Sequence, residues 1–167
     1  MLVAMCTIKR LTRIVFFISL FILFIPDLKE LQLEERVDLI INNKKINKNY
    51  EGYLYIPKFN YKNIIKNDIS YLDDNYIVMM DYSDKLDGST IVLAGHNNRY
   101  VFNKLYYLDI GDEVVLSNFS VDYHYIVKEK KYIEVDDYSE INIKDSLILI
   151  TCSYDNQKRY IVILKKE

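Results

Sequence analysis

The chain has 167 residues, 50% hydrophobic and 28% charged, so it can form one compact domain of ordinary size but not two enzymatic domains. Its 22 basic and 24 acidic residues give a net charge of -2 and are scattered along the sequence, which disfavours a basic nucleic-acid-binding face. The apolar fraction excludes an intrinsically disordered chain.

A basic cluster followed by an apolar run stands at the N-terminus. Lys9, Arg10 and Arg13 precede IVFFISLFILFI at 14–25, and no small-residue cleavage site follows. This order predicts a retained N-terminal transmembrane helix within residues 1–27, with a cytoplasmic N-terminus and an extracytoplasmic body held at the cell membrane. The alternative is a buried helix, because the run is shorter than the roughly 20 residues that a full span requires.

The two cysteines fall on opposite sides of the membrane under this topology. Cys6 would stay at the cytoplasmic end, which leaves Cys152 as the only thiol outside, where oxidation favours paired cysteines. Cys152 then has no partner for an intramolecular disulfide. A lone cysteine is commonly a small buried hydrophobe, so its neighbours must decide between that role and a reactive thiol.

The next segments predict a helix and a linker. Residues 28–41 (LKELQLEERVDLII) are rich in helix formers, and their apolar side chains recur at spacings of three and four, which predicts a stalk or packing helix. Residues 42–49 (NNKKINKN) are polar and aperiodic and predict a linker, so the folded domain should begin near Glu51. The predicted organisation is an anchor at 1–27, a stalk and linker at 28–50, and a folded domain at 51–167.

The rest of the chain is dominated by β signals. Short runs rich in β-branched and aromatic residues alternate with Asn, Asp, Gly and Ser. Pro57 is predicted to end the first strand, since proline cannot donate to a ladder. Seven such runs indicate a mainly β domain, either a barrel or a sandwich. The predicted strands lie near 53–56, 76–80, 90–94, 113–116, 123–130, 147–151 and 159–164.

Three polar residues stand at the ends of predicted strands. His96 closes TIVLAGH, Cys152 closes SLILITC, and Arg159 opens RYIVIL. A rigid sheet can aim such side chains at one point, while short loops keep that point accessible. His124, in contrast, lies in the middle of DYHYIVKEK and is predicted to be a surface residue.

These three residue types supply the parts of acyl transfer through a thioester. A thiolate can attack an amide carbonyl, an imidazole can hold or deliver the proton, and a fixed guanidinium can stabilise the oxyanion. Each residue alone has a simpler explanation, because a strand-end histidine can be a loop residue and an edge arginine can guard against aggregation. No metal-ligand spacing is present, and no cofactor is predicted.

Two sequence blocks around these residues resemble the sortases, membrane-anchored transpeptidases of mainly Gram-positive bacteria. IVLAGHNNRYVFNKLYYLDIGDEVVL contains Gly-His after a strand, then Phe-x-x-Leu and Gly-Asp. LILITCSYDNQKRYIVIL contains Thr-Cys at the end of one strand and Arg at the start of the next. GYLYIP at 52–57 is similar to the family's first strand, so the resemblance covers about residues 51–167.

The resemblance implies a closed eight-stranded β-barrel with short helices and an active-site groove, preceded by the membrane anchor. It implies that Cys152 is the nucleophile, His96 the acid/base, and Arg159 the ligand of the oxyanion or substrate carbonyl. Thr151 matches the residue that flanks the nucleophile and is implied to bind substrate. The subclass within the family is left open.

The implied reaction cleaves a Leu-Pro-x-Thr-Gly-like C-terminal sorting signal of a surface protein or pilin. The acyl group on Cys152 would pass to an amine of a cell-wall precursor or to a pilin lysine. Two alternatives are a thiol protease that passes the acyl group to water, and a non-catalytic membrane-anchored β-barrel that binds a partner. No metal site is predicted, since the acidic residues match no calcium motif, among them Asp84, Asp87, Asp136 and Asp137.

Overall fold

The computed structural model of the chain describes residues 15–17, 28–43, 50–81, 83, 85–86, 88–137, 139–141 and 143–167. Helix α1 is Leu28–Asn43. Short 3-10 helices lie at Pro57–Phe59, Ile69–Asp74, Asn103–Tyr107 and Ser139–Ile141. The strands are β1 Tyr50–Ile56, β2 Tyr61–Lys66, β3 Ile77–Met79, β4 Thr90–Ala94, β5 Glu113–Ser117, β6 Asp122–Glu134, β7 Ser146–Cys152 and β8 Lys158–Lys166.

The strands form a closed barrel in the order β1-β2-β3-β4-β7-β8-β6-β5. The pairs β2–β3 and β4–β7 are parallel, and the other pairs are antiparallel. A mainly β fold with a closed eight-stranded barrel and short helices is therefore confirmed. Closure leaves every strand paired on both sides, which removes the exposed edges of an open sheet.

The barrel has an apolar interior and a second apolar layer outside four of its strands, β4, β6, β7 and β8. Inward-facing side chains such as Leu93, Leu149 and Val162 form the main core. The outward-facing Ile148 and Ile161 pack with Ile141, Val92 and other apolar side chains in a second cluster. Strand β7 is therefore buried on both faces everywhere except at Cys152, which explains its uninterrupted apolar sequence.

Seven of the strands agree with the sequence prediction, and β2 is the one that the prediction misses. Its sequence, YKNIIK, contains the polar residues Asn63 and Lys66, whose side chains are buried. The buried Asn63 amide donates to the Asn75 carbonyl at 2.9 Å, and burial lowers the pKa of Lys66. Most of the partners of Asn63 and Lys66 lie outside β2, so the sequence of the strand itself does not show that these polar side chains can be buried. The Lys66 ammonium lies 3.8, 4.2 and 4.6 Å from the ring centres of Tyr50, Tyr71 and Tyr76.

Helix α1 extends two residues beyond its predicted end. Its residues from Glu34 onward belong to one compact unit, Glu34–Glu167. Val37 is buried against Ile64 and Tyr76, and the Arg36 guanidinium stands 4.7 Å from the centre of the Tyr76 ring. The domain boundaries proposed from the sequence stay predictions.

The predicted N-terminal anchor at 1–27 lies outside the described residues, except for the helical residues 15–17. Cys6 lies outside them as well. Among the helices that the structure describes, none combines the length and the apolar character needed to cross a membrane.

His124 lies on the surface, as predicted. It projects from β6 beside the Glu113 carboxylate of the neighbouring strand β5, and its Nδ1 bonds to that carboxylate. This hydrogen bond is the main reason why the pKa of His124 is raised above its ordinary value. The pair bridges two barrel strands and does not line the groove described below.

The His124–Glu113 pair should make stability depend on pH. A pKa raised in the folded state gives stabilisation that is complete below the unfolded value of about 6.5 and is lost as pH rises through the folded value. We therefore expect His124→Gln to lower the melting temperature at pH 5.5 but to leave it unchanged at pH 9, as measured by circular dichroism. An equal loss at both pH values would contradict this linkage.

Candidate active site

Three strand ends meet at one edge of the barrel. Parallel pairing of β4 with β7 sets Ala94 opposite Ile150, so His96, two residues beyond Ala94, lies level with the end of β7. In the β7–β8 hairpin, Cys152 pairs directly with Arg159. The structure thus brings together all three residues predicted from the strand ends, and they line a single groove.

The groove has a volume of about 330 Å³ and runs over the outer face of the barrel. Its polar side chains include His96, Cys152, Arg159 and Asp137. An apolar groove with a few convergent polar groups is typical of a ligand-binding site. The apolar lining comes from Ile69, Leu72, Met80, Ile133, Val135, Ile141 and Ile150.

Cys152 and Arg159 are in direct contact. The Arg159 Nη1 donates to the Cys152 Sγ at 2.9 Å, and the thiol is half-buried and not in a disulfide. Because a guanidinium keeps its positive charge at any relevant pH and has five N–H donors, it can contact the sulfur and still offer donors to a second negative atom. The contact pairs a nucleophilic atom with a fixed positive charge.

Thr151 links the loop that carries His96 to strand β7, which carries Cys152. Its buried hydroxyl donates to the Gly95 carbonyl at 2.8 Å, and the Gly95 N–H donates to the Ile150 carbonyl at 3.1 Å. Two hydrogen bonds therefore fix the residue before His96 to the residues before Cys152. The hydroxyl is occupied by this bond, and a contact between Thr151 and substrate stays a prediction.

Gly95 is required by close packing. A Cβ at this position would lie 2.6 Å from Val101 Cγ1 and 2.7 Å from Phe102 Cδ2, and both of these residues are fully buried. The His96 carbonyl also accepts the Phe102 N–H at 3.0 Å, and this hydrogen bond closes the loop from 96 to 102. The glycine lets the loop pass close to the core and holds His96 at the groove.

Gly95→Ala should impair activity as well as stability. The two neighbours must retreat by about 1 Å to reach ordinary contact distance, which costs about 1–3 kcal/mol of stability in a packed core. A 1 Å displacement of His96 by this clash should lower the rate of catalysis at the groove on the order of 10²-fold. Gly111→Ala is the matched control, because Gly111 has φ +96° but no atom within 4 Å of the added carbon. The control should lose stability but, at temperatures below its melting temperature, should react as fast as the parent. Equal rates in the two variants would contradict the inference that Gly95 positions His96.

The His96 ring has an acidic neighbour that the sequence gives no reason to select. Its Nε2 lies 3.3 Å from Asp73 Oδ1, a residue of the 3-10 helix between β2 and β3. Both side chains are well exposed, so the pair orients the ring and adds little to stability. No motif links the two residues, which are 23 positions apart.

The loop between β7 and β8 is short and internally bonded. The N–H of the buried Ser153 donates to the Lys158 carbonyl at 2.9 Å. The Ser153 hydroxyl donates to Asp155 and accepts the Lys158 N–H at 2.9 Å. The Ser153 bond is the main cause of a lowered pKa for the Asp155 carboxyl. Asn156 makes the turn with φ +59°. This loop fixes the two strand ends that carry Cys152 and Arg159.

Tyr106 is a further residue at the site that sequence analysis missed. It belongs to the 3-10 helix Asn103–Tyr107, and its hydroxyl donates to the Cys152 carbonyl at 2.8 Å. Within the part of the chain that the structure describes, no group of three or more His, Cys, Asp or Glu side chains could hold a metal ion. Asp84 and Asp87 lie outside that part.

The fold and the groove define a closed β-barrel protein with a cysteine, a histidine and an arginine at one site. The sequence profile of the Sortase domain matches residues 54–167. The chain belongs to the sortase family, whose members are cysteine transpeptidases.

Solved sortases have the same fold. Sortase C1 of Streptococcus agalactiae has a TM-score of 0.67 and 26% identity, over 73% of this chain and 70% of that chain. Sortase A of Listeria monocytogenes has a TM-score of 0.64 and 23% identity, over 71% and 88%. A sortase D5 transpeptidase of Clostridium perfringens has a TM-score of 0.66 and 20% identity, over 80% and 94%. These similar scores span three sortase types and do not separate the subclasses. Comparison with curated protein sequences gives no match.

Proposed function

We propose that this chain is a sortase transpeptidase that cleaves a Leu-Pro-x-Thr-Gly-like C-terminal sorting signal and transfers the new acyl group to an amine. The observation that carries the proposal is the 2.9 Å contact from Arg159 Nη1 to Cys152 Sγ, in an apolar groove that His96 also lines. A buried structural cysteine requires neither a groove nor a guanidinium beside its sulfur.

The first half-reaction forms a thioester. The Cys152 thiolate attacks the carbonyl carbon of the signal's threonine, and the carbonyl oxygen becomes an oxyanion that accepts N–H groups of Arg159. His96, as the protonated acid, gives its proton to the leaving glycine nitrogen as the peptide bond breaks. The products are an acyl thioester on Cys152 and a released peptide with a free amine.

The second half-reaction resolves the thioester. The acceptor amine attacks the thioester carbonyl, His96 takes a proton from its nitrogen, and the Cys152 thiolate leaves as the tetrahedral intermediate collapses. An amide bond replaces the thioester, and the enzyme returns to its starting protonation state. The acceptor in this proposal is an amine of a cell-wall precursor or a pilin lysine.

The proposed setting is the outer face of a cell membrane, where both surface proteins and wall precursors are present. The basic residues Lys9, Arg10 and Arg13 before the apolar run at 14–25 support a single span with a cytoplasmic N-terminus. The partners in this proposal are a surface protein or pilin with a sorting signal, and the membrane itself.

The test is a transfer assay with the purified full-length chain in mild detergent. The substrate is a pool of Leu-Pro-x-Thr-Gly peptides with a varied third residue, and the acceptors are triglycine and a blocked lysine. Mass spectrometry should find the threonine acyl group joined to an acceptor. Only hydrolysed product at every amine concentration would favour the thiol protease, and neither cleavage nor an acyl adduct on Cys152 would favour the binding barrel.

A further inference from the structure

The carbonyl of Cys152 would lack a strand partner without Tyr106. The Ser153 N–H donates to Lys158 on β8, so the Cys152 carbonyl of the same trans peptide points to the opposite side. On that side β4 has already ended at Ala94, opposite Ile150. The Tyr106 hydroxyl takes the vacant position and donates to this carbonyl at 2.8 Å. It therefore completes the backbone bonding of the nucleophile.

The Tyr106 ring also packs against one residue close to Cys152 in sequence and one residue next to Arg159. It stacks on Tyr154, two positions after Cys152, with ring centres 4.5 Å apart and planes at 25°. Its other face stacks on Tyr160, directly after Arg159, at 4.3 Å and 18°. Stacked rings at these distances contribute beyond the area they bury. One side chain thus contacts both ends of the hairpin that carries the thiol and the guanidinium.

We propose that Tyr106 is a positioning residue, which sets the separation of the Cys152 thiol and the Arg159 guanidinium during transfer. Its hydroxyl fixes the backbone of one partner, and its ring fixes the neighbours of both. This inference rests on the proposed function of the Cys152–Arg159 pair. It adds a residue of the 3-10 helix Asn103–Tyr107 to a site otherwise built from strand ends.

Two properties of the hydroxyl fit this role. Burial raises the pKa of Tyr106 above its ordinary value, so the hydroxyl remains a protonated donor throughout the neutral range. The acceptor is a backbone carbonyl, which does not titrate. The bond is therefore insensitive to the proton transfers of the reaction.

The test compares three variants of the full-length chain, each carrying Cys6→Ser so that Cys152 is the only thiol. Tyr106→Phe keeps the ring and removes the hydroxyl, and Tyr106→Leu also removes the stacking. The matched control is Tyr125→Phe, because Tyr125 is a buried, inward-facing residue of β6 that does not line the groove. The measurements are kcat and KM for transfer, the rate at which iodoacetamide alkylates Cys152, and the melting temperature.

A positioning role predicts a change in kcat without a matching change in KM. We expect kcat to fall about 10-fold in Tyr106→Phe, the effect of one lost hydrogen bond, and about 100-fold in Tyr106→Leu, with KM within about 2-fold. Alkylation should slow in the same order, since the guanidinium no longer lies beside the sulfur. Tyr125→Phe should keep both rates and lose only melting temperature.

A merely structural role would lower the melting temperature of the Tyr106 variants and leave kcat and alkylation equal to those of the control. That result, in a parent enzyme that transfers peptide, would overturn the inference and leave the proposed function intact. If the parent transfers no peptide, the proposed function fails. The alkylation rates then still decide whether Tyr106 sets the environment of the Cys152 thiol.

Discussion

Cys152→Ala is expected to reduce peptide cleavage and transfer to the uncatalysed background. The proposed reaction passes through a covalent thioester, and alanine has no atom that can form one. Because the side chain is half-buried and small, its loss should change the melting temperature little. The measurement is the transfer assay with the full-length chain, together with mass spectrometry of the intact protein for an acyl adduct.

Cys6→Ala is the matched control for this variant, since it removes the other of the chain's two cysteines. It should keep full activity, because the proposed topology leaves that residue on the opposite side of the membrane from the groove. Unchanged cleavage in Cys152→Ala would rule out thioester chemistry at this residue. Loss of activity in both variants alike would point to a general effect of cysteine replacement.

Arg159→Ala should lower kcat/KM for transfer on the order of 10²-fold or more, the usual loss when one oxyanion donor is removed. The guanidinium also donates to the Cys152 Sγ at 2.9 Å, so the variant should alkylate more slowly as well. Arg159→Lys should recover little of the rate, because an ammonium is a compact charge without the planar fork of donors.

The control for Arg159 is Lys128→Ala, which removes a positive charge from an exposed position of β6 outside the groove. Its rate should match that of the parent, which would show that net charge does not explain the loss. A near-normal rate for Arg159→Lys would contradict a role that depends on the geometry of the guanidinium. Stopped-flow measurement of the acylation step would separate this effect from product release.

The strand ends were predictable from the sequence because they depend on local patterns. Apolar runs of strand length predict the direction of the chain, and a polar residue directly after such a run must emerge at the barrel edge. For this reason His96, Cys152 and Arg159 could be selected before their distances were known. Pro57 marks the end of β1 in the same local way.

The residues missed by sequence analysis depend on contacts that only the tertiary structure creates. Asp73 lies on a 3-10 helix with no motif, and Tyr106 is one of sixteen tyrosines, so its type does not distinguish it. Strand β2 was missed because Asn63 and Lys66 find their partners in other segments. In each case the partners belong to other structural elements, and the local sequence pattern does not show which elements meet.

The positions of the three site residues along the chain imply an order in which the site can assemble during folding. Cys152 and Arg159 are 7 residues apart on one hairpin, so closing their contact costs little chain entropy. The bond from Thr151 to the Gly95 carbonyl spans 56 residues and forms only when β4 pairs with β7. Such long-range parallel pairing is slow compared with hairpin formation. In a partly folded chain the thiol and the guanidinium can therefore be in contact while the imidazole is still distant from them, and all three groups come together only when β4 pairs with β7.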